Sequence, residues 1–449
     1  MLFVLSAAVG LLAGLGSCRV VKRQAVTKPV VAHYMVGDIQ DAHVRQDIVD
    51  AKAFGLDGFA MNYDQFQGWS NRTVDALFKH ADELGGFKLF FSFDHAAGYL
   101  NGNPNQYADY FKSYSGRSSY FKFKDPKTGV DKPLLSTFGG EKVPDSQWAD
   151  FKNQVGDVLI VPGFSEAVPS TNFFDSRANL NGVFNWNSWP FDNDGKVTVS
   201  TTQDKLFQSA AHNTGRIFMM GMSPAQFKHL YNNDGTSQNW YRRGEDNIEY
   251  RIGQVLDLQP DIIQLQSWND AGEGHYMGNI WTEALYLQQI KDLTNGYDHK
   301  GYWQALTPFI QAWKRGDRTT ANMVPLNDKR VQGAFWHHTL TVDGTCTNDK
   351  LKTSSSVTKL AEDAVSGVVL VPKGKTNLVS VVNVDGKELG KTKLVPGYNN
   401  FKYTGMGTGK VQLEVWDEST MIAGGYGSIE VTRQAALCNH QFQVVGFAG

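Results

Sequence analysis

Val30-Val31-Ala32-His33-Tyr34-Met35 carries no charge and no strict apolar–polar alternation, and it leads a series. Runs rich in Val, Ile, Phe and Leu recur at 58–62, 88–94, 134–140, 158–164, 182–189, 216–222 and 262–270. Short runs of this kind suit parallel strands covered on both faces. Amphipathic segments lie between them. Val74, Leu77, Phe78, Ala81 and Leu84 keep a helical stripe that Gly85-Gly86 stops, and Ile248, Ile252, Val255 and Leu256 make another. Eight strand candidates separated by helices predict an α/β fold, a (β/α)8 TIM barrel over 24–322. A doubly wound open sheet competes less well, because no Gly-x-Gly-x-x-Gly follows the first run. Between 164 and 182, Pro169 and a polar stretch leave room for a long loop with a stub of helix.

Past 319–329 the helical spacing ends. Runs at 368–371, 378–384, 411–416 and 428–431 alternate with the turn pairs Asp343-Gly344, Asp385-Gly386 and Pro396-Gly397. They predict a small antiparallel β-sandwich over 323–449. Residues 1–23 read as address: 2–15 is apolar and uncharged, too short to span a membrane, and Lys22-Arg23 is a dibasic processing pair. Removal of that segment takes Cys18 with it and leaves Cys346 and Cys438, an even pair suited to an oxidising compartment. Bonded, they would close a loop worth about 4–5 kcal/mol in the chain-entropy model and staple the sandwich rather than the active site. Asn71-Arg72-Thr73 is the sole Asn-x-Ser/Thr sequon, read as a loop site on the catalytic rim. A formal charge of −2 without a basic run argues against nucleic acid and anionic membrane as partners. A secreted, soluble monomer is expected.

In a barrel, chemistry gathers at the carboxyl ends of the strands. Those ends hold Asp38, Tyr63 and Asp64, Asp94 and His95, Glu141, Glu166, and Trp186 with Trp189. The eighth ends in Ser267-Trp268-Asn269-Asp270-Ala271-Gly272-Glu273-Gly274-His275-Tyr276. Asp270 and Glu273 are two carboxyl groups three residues apart, set among glycines that permit tight turns. Glycoside hydrolysis needs such a pair, one member to protonate the leaving oxygen and one to activate water or attack carbon. Held close, like charges also push one pKa upward. Spacing in the chain does not choose between inversion and retention. Other chemistries lack their signatures: Gly163-Phe164-Ser165-Glu166-Ala167 misses the second glycine of a nucleophile elbow, and His337-His338 points to opposite faces of a strand. The calcium-like Asp192-Asn193-Asp194-Gly195 has its glycine too early. No metal or cofactor is implied.

His33-Tyr34-Met35-Val36-Gly37, Gly55-Leu56-Asp57-Gly58-Phe59-Ala60-Met61-Asn62, Ser92-Phe93-Asp94, Gln266-Ser267-Trp268-Asn269-Asp270 and Glu273-Gly274-His275-Tyr276 resemble glycoside hydrolase family 71. These are the fungal α-1,3-glucanases, or mutanases. The resemblance implies a barrel with a β-sandwich, hydrolysis of α-1,3-glucan with inversion, and catalysis by the carboxyl groups at Asp270 and Glu273. Glu273 is expected as general acid and Asp270 as general base. His33, Tyr63, Asp64, Asp94, His95, Glu166, Trp186, Trp189, Trp268, Asn269, His275 and Tyr276 are expected to line the glucan subsites. A glucan-binding wall protein that has lost catalysis is the rival from another class, and a glycosidase of another linkage the rival among enzymes.

Overall fold

The computed structural model describes residues 28–449, so the expected signal segment, Cys18 and the Lys22-Arg23 pair lie outside the described residues. The first part of the chain alternates strands and helices. The strands are β1 (Val30–Met35), β2 (Gly58–Tyr63), β3 (Lys88–Asp94), β4 (Lys122–Lys124), β5 (Asp131–Phe138), β6 (Leu159–Ile160), β7 (Gly163–Phe164), β8 (Gly182–Asn185) and β9 (Ile217–Met222), then the hairpin β10 (Gln226–Tyr231) and β11 (Ser237–Arg242), then β12 (Ile262–Leu265). Hydrogen bonding runs in the order β5-β3-β2-β1-β12-β9-β8-β7, all of it parallel, with β6 on β5 and the antiparallel β4 at the edge. The result is a mixed α/β fold around a curled parallel sheet.

Both faces of this sheet are covered, which is why the runs lack alternation. β2 is buried at every residue. Helix α1 (Asp41–Phe54) turns Val44, Ile48 and Ala51 onto the sheet. It ends at Gly55, whose φ of +106° lets its N–H close on the Ala51 and Lys52 carbonyls. Helix α2 (Gly68–Leu84) buries Val74, Leu77, Phe78 and Ala81, the stripe expected from their spacing. The remaining helices of this part are α3 (Ala108–Ser115), α4 (Asp145–Val155), α5 (Thr202–Asn213), α6 (Ile248–Leu258), α7 (Gln288–Thr294) and α8 (Trp303–Arg315).

Three differences from expectation bear on the site. The expected strand at 158–164 is two short strands, interrupted at Val161-Pro162, where proline has no N–H to give a ladder. No helix forms at 165–181, only turns, so even the stub is missing. The hairpin β10–β11 was not foreseen. Asn233-Asp234-Gly235 forms its tip, with Gly235 at φ +86°.

The C-terminal part holds β13 (Gln332–His338), β14 (Leu340–Cys346), α9 (Ser355–Leu360), β15 (Ala364–Val371), β16 (Leu378–Val384), β17 (Lys387–Lys393), β18 (Gly397–Thr404), β19 (Val411–Asp417), β20 (Thr420–Tyr426), β21 (Thr432–Ala435) and β22 (Phe442–Ala448). Two four-stranded antiparallel sheets, β18-β15-β13-β22 and β17-β16-β19-β20, share an apolar core that includes Phe335, Val369, Val382 and Leu413. β14 and β21 form a separate parallel pair. The strand expected at 428–431 is absent; that segment makes only a single bridge, Val431 to Gly409.

The first of these sheets is buried on both faces. Phe335, Val369 and Phe447 point to the second sheet, whereas Trp336, Val368, Leu370 and Val444 join the core of the α/β part. Residue 323 is therefore not followed by a freely tethered module: the sheet is a shared wall.

Candidate active site

The chain leaves β12 through a cis peptide between Gln266 and Ser267 and enters a loop over 266–281. Its backbone is tied to β1 and to itself. Trp268 N–H donates to the His33 carbonyl (2.7 Å), and the Asn269 amide both accepts from Met35 N–H (2.8 Å) and donates to the Met35 carbonyl (3.0 Å). Ser267 N–H meets the His275 carbonyl at 2.6 Å, closing the loop's neck. Two glycines are required by the packing. A Cβ on Gly278 would lie 2.2 Å from the Trp268 ring, and Gly274, at φ +69°, passes so close to β10 that a Cβ would sit 2.7 Å from the Phe227 carbonyl.

Beneath the loop stands Asp47 of α1, which is fully buried. Trp268 Nε1, Asn279 Nδ2 and Trp281 Nε1 each donate to its Oδ1 at 3.0 Å, and the Tyr34 hydroxyl donates to Oδ2 at 2.9 Å. Burial pushes this carboxyl up to about 6, against the pull of its donors. Three points of the loop, on both sides of the carboxyl pair, thus converge on one oxygen. Gln266 does the same for the neighbouring strand ends, accepting from Ser188 and Ser223 and donating to the Trp186 carbonyl.

Asp270 and Glu273 project from this frame, both partly exposed. Glu273 N–H donates to Asp270 Oδ1 at 3.0 Å, and His275 Nε2 stands 3.4 Å from both Asp270 Oδ2 and Glu273 Oε2. Lys228 Nζ donates to Glu273 Oε1 at 2.9 Å, and Gln226 Nε2 donates to Oε2. Burial alone would raise the Glu273 carboxyl. The His275 imidazole, 3.4 Å away, and the Lys228 charge outweigh it and hold the group well below the usual carboxylate range. His275, fully buried, is itself raised to about 9 by Asp270 and Glu273 against the cost of burial. Glu273 is thus an anion boxed by two cations. The nearest oxygens of Asp270 and Glu273, with His275 nitrogen, lie within 4.8 Å of one another, a set also able to seat a cation. Lys228 already supplies positive charge there.

A family model described as glycosyl hydrolase family 71 matches residues 26–448, nearly the whole chain. The chain belongs to that family. Relatives of the family-71 chain include a mutanase of Penicillium rubens, 25% identical over 415 residues (91% of this chain, 86% of the relative). The glucan endo-1,3-alpha-glucosidase agn1 of Schizosaccharomyces pombe is 26% identical over 394 residues (83% and 84%), and the ascus wall endo-1,3-alpha-glucanase of the same yeast 22% over 432 (92% and 96%). Among solved structures, an endo-alpha-mannosidase of Bacteroides thetaiotaomicron aligns with a TM-score of 0.47 at 12% identity, over 64% of this chain and 97% of its own.

The residues expected to bind sugar divide into two groups. Trp186 and Trp189, both buried, stand edge-on to His275, with ring centroids 6.4 and 5.7 Å away; Trp189 gives its N–H to the Pro224 carbonyl, and the buried His33 packs its ring against Trp186 at 5.0 Å. Burial lowers His33 to about 3, so it is neutral. Asp94 accepts from Asn62 and from the Ala96 and Ala97 N–H groups, and burial raises its carboxyl, as it does that of the half-buried Asp64.

The second group is used by the fold. Trp268 is buried with its N–H on Asp47, and Asn269 is committed to Met35. Tyr276 stacks on His299 and donates to the Tyr297 carbonyl. His95 turns into the core, 3.1 Å from the Tyr107 hydroxyl. Tyr63 is buried and donates to Asn71 Oδ1 at 2.5 Å. The rings of Trp268, Tyr276, His95 and Tyr63 are buried, and the partly exposed Asn269 holds the Met35 backbone with its amide. Glu166 is exposed, its N–H on Glu141 Oε1.

Asn71 lies in the first turns of α2, not in a loop, and Thr73 of its sequon is buried with its hydroxyl on the Gly37 carbonyl. Asp38 pairs with Arg72 in a charged cleft of about 760 Å³ lined also by Lys79, Arg117 and Glu283, away from the carboxyl pair. Cys346 and Cys438 form a disulfide. Gln226, Lys228 and Asp47 were missed. The alternation of Gln226 to Tyr231 and of Ser237 to Arg242 about Asp234-Gly235 was the available signal for the first two. Asp47 had none, being one acid in an amphipathic helix.

Proposed function

We propose that this protein hydrolyses α-1,3-glucosidic bonds in α-1,3-glucan, outside the cell, with Asp270 and Glu273 as its carboxyl pair. The observation that carries the reading is the pair itself, facing each other across His275 at the carboxyl end of β12 in a family-71 chain. The names of the fungal relatives support the substrate, and the apolar stretch at 2–15 and the disulfide support secretion. No helix among the described residues is long and apolar enough to cross a membrane. The pairing of β6 with β5 and of β7 with β8, two residues apart in the chain, supports reading the curled sheet as an eight-stave barrel. The protein acts as a monomer in this reading.

Glu273 is assigned the acid and Asp270 the base, with net inversion. The free-state electrostatics set a condition on that assignment: Glu273 must gain a proton before it can give one. His275, raised to about 9 and standing 3.4 Å from both carboxyl groups, is the protonated group that reaches both members of the pair. A glucan entering the site would have to draw Lys228 off Glu273 for the proton to settle there.

Retention is the competing mechanism: retaining pairs stand about 5–5.5 Å apart and inverting pairs about 6.5–9.5 Å. Proton NMR of fresh products from insoluble α-1,3-glucan separates the two. Immediate β-anomer is expected under inversion, α-anomer under retention. No soluble sugar from this glucan or from a panel of others would leave only a glucan-binding role.

A further inference from the structure

β10 has two faces. Gln226 and Lys228 point to Glu273; Phe227 and His229, one residue on in each case, point to the C-terminal part. The rear contacts are specific. His229 Nε2 lies 3.0 Å from Asp349 Oδ2, and the same oxygen accepts from Cys438 N–H at 2.8 Å. His229 Nδ1 is 2.9 Å from Asn239 Oδ1 on β11, whose Nδ2 donates to the Lys352 carbonyl at 2.9 Å. Tyr241 N–H donates at 2.7 Å to the Oγ of Ser356, in α9. Asp349 and His229 are both almost fully buried. Asp349 follows Cys346 by three residues, so the disulfide holds both chain segments that meet at its carboxylate.

We propose that Asp349 is a positioning residue: from the C-terminal part it fixes the rear face of the hairpin, and so sets Gln226 and Lys228 on Glu273. The disulfide-closed segment is then part of the active-site scaffold rather than a staple remote from it. A two-stranded ribbon is marginal by itself, and the β10–β11 ladder bonds to no other strand. Its front face makes one contact with the loop backbone, Phe227 N–H to the Glu273 carbonyl at 2.9 Å. The hairpin is also held at the end of β10, where the Gln289 amide accepts from Tyr231 N–H and donates to the Tyr231 carbonyl, each at 2.7 Å, and by Phe227, Leu230 and Tyr241 in the core; Asp349 is the charged anchor directly behind Lys228. The charged and titratable groups facing Glu273 are Lys228 and Arg242 from the hairpin, Asp270 and His275 from its own loop, and His33 from β1. Those facing His229 are Asp349 and His440.

This inference rests on the proposed glucanase activity, and the test keeps the two apart. In the full-length protein, Asp349→Ala is expected to lower kcat on α-1,3-glucan about tenfold, the worth of one charge-assisted hydrogen bond, while KM changes less than about twofold. The limb of the pH profile governed by Glu273 should move to higher pH, in the same direction as in Lys228→Met. Adding Lys228→Met to Asp349→Ala should move it no further. Asp349→Asn, which keeps an acceptor oxygen, should restore most of kcat. Hydrogen exchange of the 226–231 amides, independent of activity, should quicken in Asp349→Ala and not in Asp349→Asn.

Wild-type kcat and an unmoved limb in Asp349→Ala would overturn the proposal. So would a lowered melting temperature with kcat intact, or shifts that add in the double variant. A wild-type protein inert on every glucan would sink the glucanase reading instead, and the exchange experiment would still decide whether Asp349 holds the hairpin.

Discussion

Two segments meet at Glu273, and they are held in opposite ways. The loop 266–281 supplies the carboxyl groups and is anchored inward, on β1 and on the buried Asp47 beneath it. The hairpin β10–β11 supplies Lys228 and Gln226 and is anchored outward, on Asp349 and Ser356 of the C-terminal part. The loop brings the carboxyl groups proposed to make the chemistry. The hairpin brings the charge that decides in which protonation state one of them waits. Identity and tuning of the pair are thus encoded in separate places, so each can be disturbed alone.

The loop should show the larger effects. Asp270→Asn and Glu273→Gln are each expected to lower kcat by at least ~10²–10⁴-fold, the usual range for a lost general acid or base, with folding intact by circular dichroism. Retained activity in either would remove that residue from the pair. Asp47→Ala attacks the same loop from below. It strands the buried Trp268 and Tyr34 donors, each costing ~1–3 kcal/mol when unpaired, and takes one acceptor from the part-buried Trp281 and from Asn279, which keeps Asp50, so a loss of about 3 kcal/mol in chemical denaturation is expected together with much of the activity. Unchanged stability would mean that the loop is held by its backbone bonds to β1 instead.

The contrast also explains what could be read in the sequence. The proposed pair, Asp270 and Glu273, stands out in the sequence because two carboxyl groups sit at a strand end among glycines. The eight apolar runs were legible because a sheet covered on both faces leaves no other trace. Trp268 and Tyr276 turned out buried for a complementary reason. Sitting next to the pair in the chain, they looked like subsite residues, but a loop that must hold two like charges together spends its large side chains on anchoring. The hairpin escaped because alternating strands flanked by a strand and a helix look like a loop. Asp349 and His229 lie 120 residues apart and meet only through the shared wall of the two parts.

The hairpin's own contribution is measured by Lys228→Met. Loss of this charge-assisted hydrogen bond, ~1.5–3 kcal/mol, frees the Glu273 carboxyl to leave its place, which outweighs its easier protonation, so kcat is expected to fall about 10–100-fold. The sign of the pH effect follows from the direction of the shift. Lys228 lowers the Glu273 carboxyl, so removing it raises that group's pKa, and the limb Glu273 governs moves up by about 1–2 units. A limb that stays in place would leave His275 as the sole source of the depression. The same variant bears on the cation question. With Lys228 in place, a chelator is expected to leave hydrolysis unchanged, and loss of activity in EDTA restored by a divalent ion would assign Asp270, Glu273 and His275 to a metal instead.

The smallest effect is expected where loop and hairpin both face solvent. Tyr286, 82% exposed, follows the loop just before α7 and lies near enough to Lys228 to act on its charge. An aromatic ring left this open beside a carboxyl pair suits stacking on a glucosyl face. Stacking of that kind is worth about 0.5–1.5 kcal/mol, so Tyr286→Ala should raise KM for soluble α-1,3-gluco-oligosaccharides about 2–10-fold and leave kcat nearly unchanged. Tyr286→Phe should behave as wild type. If kcat falls instead and the Glu273 limb shifts as in Lys228→Met, the ring acts on the hairpin's ammonium rather than on sugar, and the division between a segment that makes the chemistry and one that tunes it would have to include the loop's far end on the tuning side.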